Sequence, residues 1–231
     1  MLKVVLTLLS LAIVFSYSIG QNKSFPKSDS VGIYYGSKSS HWVSLRNGER
    51  MDGFTRVGDS IYGGEIACSV APMKEPDLET FKVLAGTSYA RDKRYVYYPI
   101  RILCVDFVDC GVCYFKETIV KNAKPGKFVY LGKDYATDRE NVYFRGELME
   151  DADGKTFKVI EGPEFFYFGV DQHHVFKHDE IFEKADPATF YFDRDDKRTI
   201  DTKSEHKYII GDVNNEWLYV PPDSFKKVRK R

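Results

Sequence analysis

Four cysteines, five histidines and a run of aspartates are the residues of this 231-residue chain whose types could do chemistry. Cys110-Gly111-Val112-Cys113 has the spacing of a zinc knuckle or of a redox pair, with Cys104 just upstream and Cys68 apart. A structural zinc site normally draws four ligands from two such knuckles, and Cys68 has no near partner in sequence. A redox Cys-x-x-Cys wants its first thiolate at a helix N-terminus, where the dipole lowers its pKa, but Val112 to Val120 reads as strand. In an exported chain an even cysteine count points to disulfides. Cys68, Cys104, Cys110 and Cys113 are therefore read as disulfide formers of open connectivity, with free buried thiols and zinc as the alternatives.

The histidines cluster once, as His173, His174 and His178 beside Asp179. On a helix His174 and His178 would share a face and could grip a metal; in an extended chain they stand too far apart for one ion. Asp193-Arg194-Asp195-Asp196 opens like a calcium loop. Arg198 stands where that loop needs glycine and Ser204 where it needs glutamate, so it reads as a charged turn. Gly-rich phosphate loops, a Gly-x-Ser-x-Gly elbow and His-Glu-x-x-His are all missing from the sequence. No catalytic, cofactor-binding or metal-binding residue is assigned, no cofactor is expected, and a non-enzyme is preferred.

The elements that must position these residues are repeats. Asp77-Leu78-Glu79-Thr80-Phe81-Lys82-Val83-Leu84, Tyr89-Ala90-Arg91-Asp92 and Val96-Tyr97-Tyr98 return in degraded form. The second copy has Phe128-Val129-Tyr130-Leu131, Tyr135-Ala136-Thr137-Asp138 and Val142-Tyr143-Phe144. The third has Asp153 to Ile160, Phe168-Gly169-Val170-Asp171 and Val175-Phe176. A fourth begins at Asp186 and frays, and Asp212 to Tyr219 reads as a drifted last hairpin. Asp138 and Asp171 are 33 residues apart, as are Phe157 and Phe190, whereas Asp92 and Asp138 are 46 apart. The excess marks an insertion at about residues 99–122 that holds three cysteines.

Each copy alternates apolar and polar residues rich in Tyr, Phe and Val, which is the pattern of half-buried strands. Asp92, Asp138 and Asp171 fall between two such runs, where a carboxylate can accept from the amides just ahead and fix a tight turn. One hairpin cannot bury its own apolar face, so neighbours must stack. The fold predicted is all-β, with tandem β-hairpin repeats stacked into an extended antiparallel array. Phe81, Phe128, Phe157 and Phe190 are expected to point inward as a row, with Val96, Val142 and Val175 buried opposite. Phe54 is expected outside that core. Adjacent aromatics such as Tyr97 and Tyr98 point to opposite sides of a strand, so they are either an exposed aromatic ladder or covered by neighbouring hairpins.

Lys3, the apolar run Val4 to Phe15, and Ser18 and Gly20 before Gln21 have the layout of a secretory signal peptide over residues 1–20. The run is too short for a comfortable transmembrane helix. Membrane contact is expected only if this segment stays uncleaved. The remaining chain divides into a polar, irregular segment 21–56, a repeat domain 57–220 and a basic tail 221–231. Lys+Arg and Asp+Glu both number 34, so no large field draws the chain to nucleic acid, and none is expected as a partner.

Tyr89 to Tyr98 and Tyr135 to Phe144 resemble the tandem motif of the DKNYY family, a bacterial tandem-repeat family of unknown function. Asp77 to Phe81, Asp153 to Phe157 and Asp186 to Phe190 match its Asp-x-x-Thr-Phe element. The resemblance covers about residues 57 to 192. It implies an exported or envelope-associated repeat protein with no catalytic residues to carry over. The expected function is an exported, non-enzymatic interaction module for an unknown protein or glycan partner. The alternative is an extracytoplasmic enzyme with a site in segments 29–56 or 100–121.

Overall fold

The computed structural model describes residues 41–63, 72–74, 76–98, 101–102, 113–114, 119–162, 166–193, 195–202, 206–221 and 224–230. Every regular element among them is a strand except one 3-10 turn, Pro125–Lys127. The chain is all-β, as its residue patterning predicts, and its sheets are antiparallel and open rather than closed into a barrel.

Five of the six sheets among the described residues follow one another as layers. The first joins Arg50–Met51, Phe54–Val57 and Ser60–Gly63. The second joins Trp42–Val43, Lys82–Leu84, Ala90–Arg91 and Val96–Tyr97. The third runs Val129–Gly132, Tyr135–Thr137, Val142–Phe144 and Glu147–Met149. The fourth runs Lys158–Glu161, Tyr167–Val170, Val175–Lys177 and Glu180–Ile181. The fifth holds Tyr191–Asp193, Ile200–Asp201, His206–Gly211, Glu216–Val220 and Ser224–Val228. Tight turns set the registers. Asp52-Gly53, Lys133-Asp134 and Arg145-Gly146 each have positive φ at both positions, the geometry whose twist suits a two-residue hairpin.

Between consecutive layers lies one apolar core, and the strand pleat deals side chains alternately to the cores above and below. Val83 faces the core shared with the first layer, and its neighbour Leu84 faces the core shared with the third. Tyr143 likewise faces the second layer while Val142 and Phe144 face the fourth. Both sides of each inner sheet are thus covered, and among the described residues no exposed aromatic ladder forms. Tyr97, Tyr143, Phe144, Phe176 and Trp217 are all buried.

Phe81, Phe128, Phe157 and Phe190 are 3%, 4%, 8% and 7% exposed. They do not share one core. Each sits between its own layer and the preceding one, so Phe128 shares a core with Val96, Phe157 with Val142, and Phe190 with Val175. Phe190 meets Phe168 of the preceding layer at 5.1 Å, while the other three rings meet a second ring of their own layer, at 5.8 Å for Phe81–Tyr97, 5.7 Å for Phe128–Tyr143 and 5.8 Å for Phe157–Phe176. Small residues make room for that contact. A Cβ on Gly169 would lie 2.3 Å from the Phe157 ring.

Hydroxyls stitch layer to layer. Tyr89 of the second layer accepts from the Gly146 amide at 3.0 Å, in a turn of the third. Tyr135 of the third donates to the His178 carbonyl at 2.5 Å, in the corresponding turn of the fourth. Gly146 has φ +85°, and a Cβ there would be 2.5 Å from Tyr98, so only glycine serves both the turn and the approach.

Several boundaries differ from those read along the chain. The segment 21–56, expected to be irregular, carries strands at Trp42–Val43, Arg50–Met51 and Phe54–Val57. Phe54, expected outside the core, is wholly buried with its ring 5.7 Å from Phe81. Its neighbours are polar or charged, so the period-two signal is short. The copy that frays after Asp186 is a complete layer. The basic tail 221–231 supplies its edge strand, because Phe225 alternates with Ser224 and Lys226 and stacks on Tyr219 at 4.7 Å. The insertion leaves after the third strand of the second layer. Val120 donates to the Val96 carbonyl at 2.8 Å, as Phe182 does to that of Val175 at 2.7 Å, so the repeat resumes by Ile119. The signal-peptide reading and Cys68, Cys104 and Cys110 lie outside the described residues. Cys113 lies in the strand Cys113–Tyr114, paired with Arg101–Ile102.

The side of the fifth layer turned away from the fourth carries a charged cluster beside Ile209 and Leu218. Tyr191 donates to Glu216 at 3.1 Å, and Arg198 reaches Glu216 at 2.7 Å and Asp196 at 2.6 Å.

Candidate binding cleft and the aspartate clasps

In layers two to five one aspartate clasps two parts of the chain. One oxygen of Asp92 accepts from the Arg94 and Tyr95 amides at 2.6 and 2.8 Å, closing the turn. The other accepts from the Asp77 amide at 2.8 Å and the Tyr97 hydroxyl at 2.8 Å. Asp138 accepts the amides of Glu140, Asn141 and Lys124 at 3.0, 2.8 and 3.1 Å, and the Tyr143 hydroxyl at 3.2 Å. Asp171 accepts the amides of His173, His174 and Asp153 at 2.7, 2.7 and 2.8 Å. Asp212, which the sequence reading left unassigned, accepts those of Asn214, Asn215 and Asp186 at 2.7, 2.6 and 2.9 Å.

The Asp-x-x-Thr element returns the clasp. Thr80 donates to Asp77 at 2.8 Å and accepts from the Lys93 amide, the residue after the turn aspartate, at 3.1 Å. Thr156 does the same with Asp153 and Gln172, and Thr189 with Asp186 and Val213. This explains why two elements separated in sequence recur in order. The side chains of each element hold the backbone of the other. The third layer has no such threonine. Lys124 stands in the aspartate's place, and the Arg139 amide turns instead to the Thr137 hydroxyl at 2.9 Å, with Arg139 at φ +74°.

The charges are held accordingly. Burial raises Asp138 and Asp212, but the amides that each accepts outweigh it, and both carboxyls stay below their ordinary value. Lys93, paired at 2.6 Å, and then Thr80 lower Asp77 to about 2. Burial, and next the Asp138 carboxylate, push the Tyr143 hydroxyl up, so it remains a donor. His178 lies in a turn with φ +60° and stacks on Phe144, at 5.5 Å and 16°. Burial, then Lys177 and Arg145, push it down. The three histidines do not converge on one point, and no group of metal-ligating side chains forms among the described residues.

Where the second layer's turn meets the 3-10 turn of the third, the side chains leave a cleft of about 410 Å³. Lys82, Arg91 and Lys93 line it with Glu79, Pro125 and Gly126. Lys82 and Arg91 are direct partners across two strands. The Arg91 guanidinium donates to the Pro125 carbonyl at 2.5 Å and lies 4.2 Å over the Trp42 ring. Neither cation was singled out from sequence, because their proximity depends on strand register and on a turn 34 residues downstream.

A family model described as the DKNYY family matches the chain twice, over residues 54–180 and 135–229. Neither the curated proteins nor the solved structures gave a match.

Proposed function

The chain belongs to the DKNYY family, and we propose that it is an exported, non-enzymatic binding module, secreted or held at the cell envelope, for a protein or glycan partner. One observation carries this reading. The clasp recurs in four layers, while the two residues that follow each clasping aspartate change from layer to layer. They are Lys93-Arg94, Arg139-Glu140, Gln172-His173 and Val213-Asn214, and all eight are exposed. A constant frame with varied tips is the layout of a recognition surface. The recurring carboxylates meanwhile are engaged by amides rather than open to a substrate. Export rests on Lys3, the apolar run to Phe15 and the small residues Ser18 and Gly20.

The test has two parts. Protein recovered from the medium or envelope of its own host should begin at Gln21; protein that begins at Met1 in the cytosol refutes export. Replacing Arg139-Glu140 and Val213-Asn214 by Gly-Ser should abolish retention on the host's isolated envelope while the protein still melts cooperatively. Retention that survives the swap refutes recognition through the tips.

A further inference from the structure

We propose that the cleft between the second and third layers is an oxyanion site, which takes a carboxylate or phosphate group of its ligand between Lys82 and Arg91. The inference deepens the binding-module reading by naming the chemistry that one part of the surface recognises.

Lys82 and Arg91 face each other directly across antiparallel strands, so their side chains leave the same face side by side. Like charges so placed repel and weaken a sheet. Neither is joined to a carboxylate among the described residues, and neither position needs a cation. The equivalent cross-strand pairs in the next layers are Val129 with Thr137, Lys158 with Val170, and Tyr191 with Gly211. The doubled charge thus belongs to this cleft and not to the architecture.

Arg91 is also held ready. The Trp42 ring beneath it and the Pro125 carbonyl at one nitrogen fix the plane of the guanidinium. Burial draws its pKa down, a cost that an anion would offset. A fixed guanidinium matches the two oxygens of a carboxylate or phosphate, and Lys82 adds a mobile point charge beside it. The acidic groups nearby do not fill the site. The Asp92 carboxylate is occupied by four donors, and Asp77 is paired with Lys93. Glu79 stands on the rim and sets a limit on the charge of the ligand.

The experiment uses the full chain at constant ionic strength. Inorganic phosphate, glucuronate and neutral glucose are titrated separately, read by melting temperature and by tryptophan fluorescence. Trp42 lies under Arg91, whereas Trp217 is buried in the last core. Phosphate or glucuronate should raise the melting temperature and perturb fluorescence, and glucose should not. Response to one anion alone assigns its source. Lys82→Gln, on an exposed side chain, and Arg91→Gln should each weaken binding by roughly tenfold or more. Glu79→Gln should strengthen it. Absence of binding by both anions, or equal binding in Lys82→Gln, overturns the proposal. The tip-swap retention experiment touches no residue that lines the cleft, so the broader reading stands or falls separately.

Discussion

Phe176 stands beside Asp171 in the place where Tyr143 stands beside Asp138, and it brings no hydroxyl to the carboxylate. Tyr97 and Tyr143 donate to their aspartates at 2.8 and 3.2 Å, while Phe176 keeps the same ring contact with its layer's phenylalanine. Phe176→Tyr is therefore expected to add the missing donor and to stabilise the protein by about 1 kcal/mol, the usual net value of one hydrogen bond. Urea unfolding measures it. A loss of stability would mean that the fourth layer is packed too closely for the extra oxygen.

Removing a clasp leaves several amides without an acceptor, which costs more than one surface hydrogen bond. Asp138→Ala is expected to destabilise by about 2–4 kcal/mol, since unsatisfied buried donors cost about 1–3 kcal/mol. Asp195→Ala, at an exposed position, should stay within ~0.5 kcal/mol. Chemical denaturation of the two variants side by side decides the point.

The cores offer a comparison between layers. Phe157→Ala and Phe54→Ala should each cost about 3–5 kcal/mol, because each leaves a cavity among rings that cannot collapse into it. Phe54 is the more informative of the two. A small effect there would show that the first layer contributes little to the stack.

Acid should weaken the fold through its clasps. Asp77 is lowered from 3.8 to about 2, and Asp138 and Asp212 also lie below their ordinary value. A depressed folded pKa means that the unfolded chain takes up protons first, so the stability is complete above the unfolded value and is lost as pH falls. For Asp77 the window runs from about 3.8 down to about 2. Melting temperature followed across that window should decline, and Lys93→Gln should flatten the decline by removing the first cause of the shift.

The repeat is legible because a turn aspartate needs a fixed place between two strands, and Asp92, Asp138 and Asp171 keep it. The fifth layer is harder to read. Ile209-Ile210-Gly211 stands where earlier copies have an aromatic and a small residue, and a longer loop separates Phe190 from Asp212. Phe225 and Phe54 are masked by the charged residues around them. The return clasp through Thr80, Thr156 and Thr189 is hidden for a different reason: its partners are backbone amides, which carry no residue identity. The cleft is hidden because Lys82, Arg91 and Pro125 meet only after two layers have docked.

Arg198, Asp196 and Glu216 make the side of the fifth layer turned away from the fourth a poorer seat for another sheet than the inner faces. Every inner face offers an aromatic socket to the next sheet, and a chain of such faces would have no intrinsic stopping point. A further sheet arriving at the fifth layer would meet this paired guanidinium and its two carboxylates beside Ile209 and Leu218. Burying that cluster further would cost desolvation, which raises the concentration at which another copy could stack there.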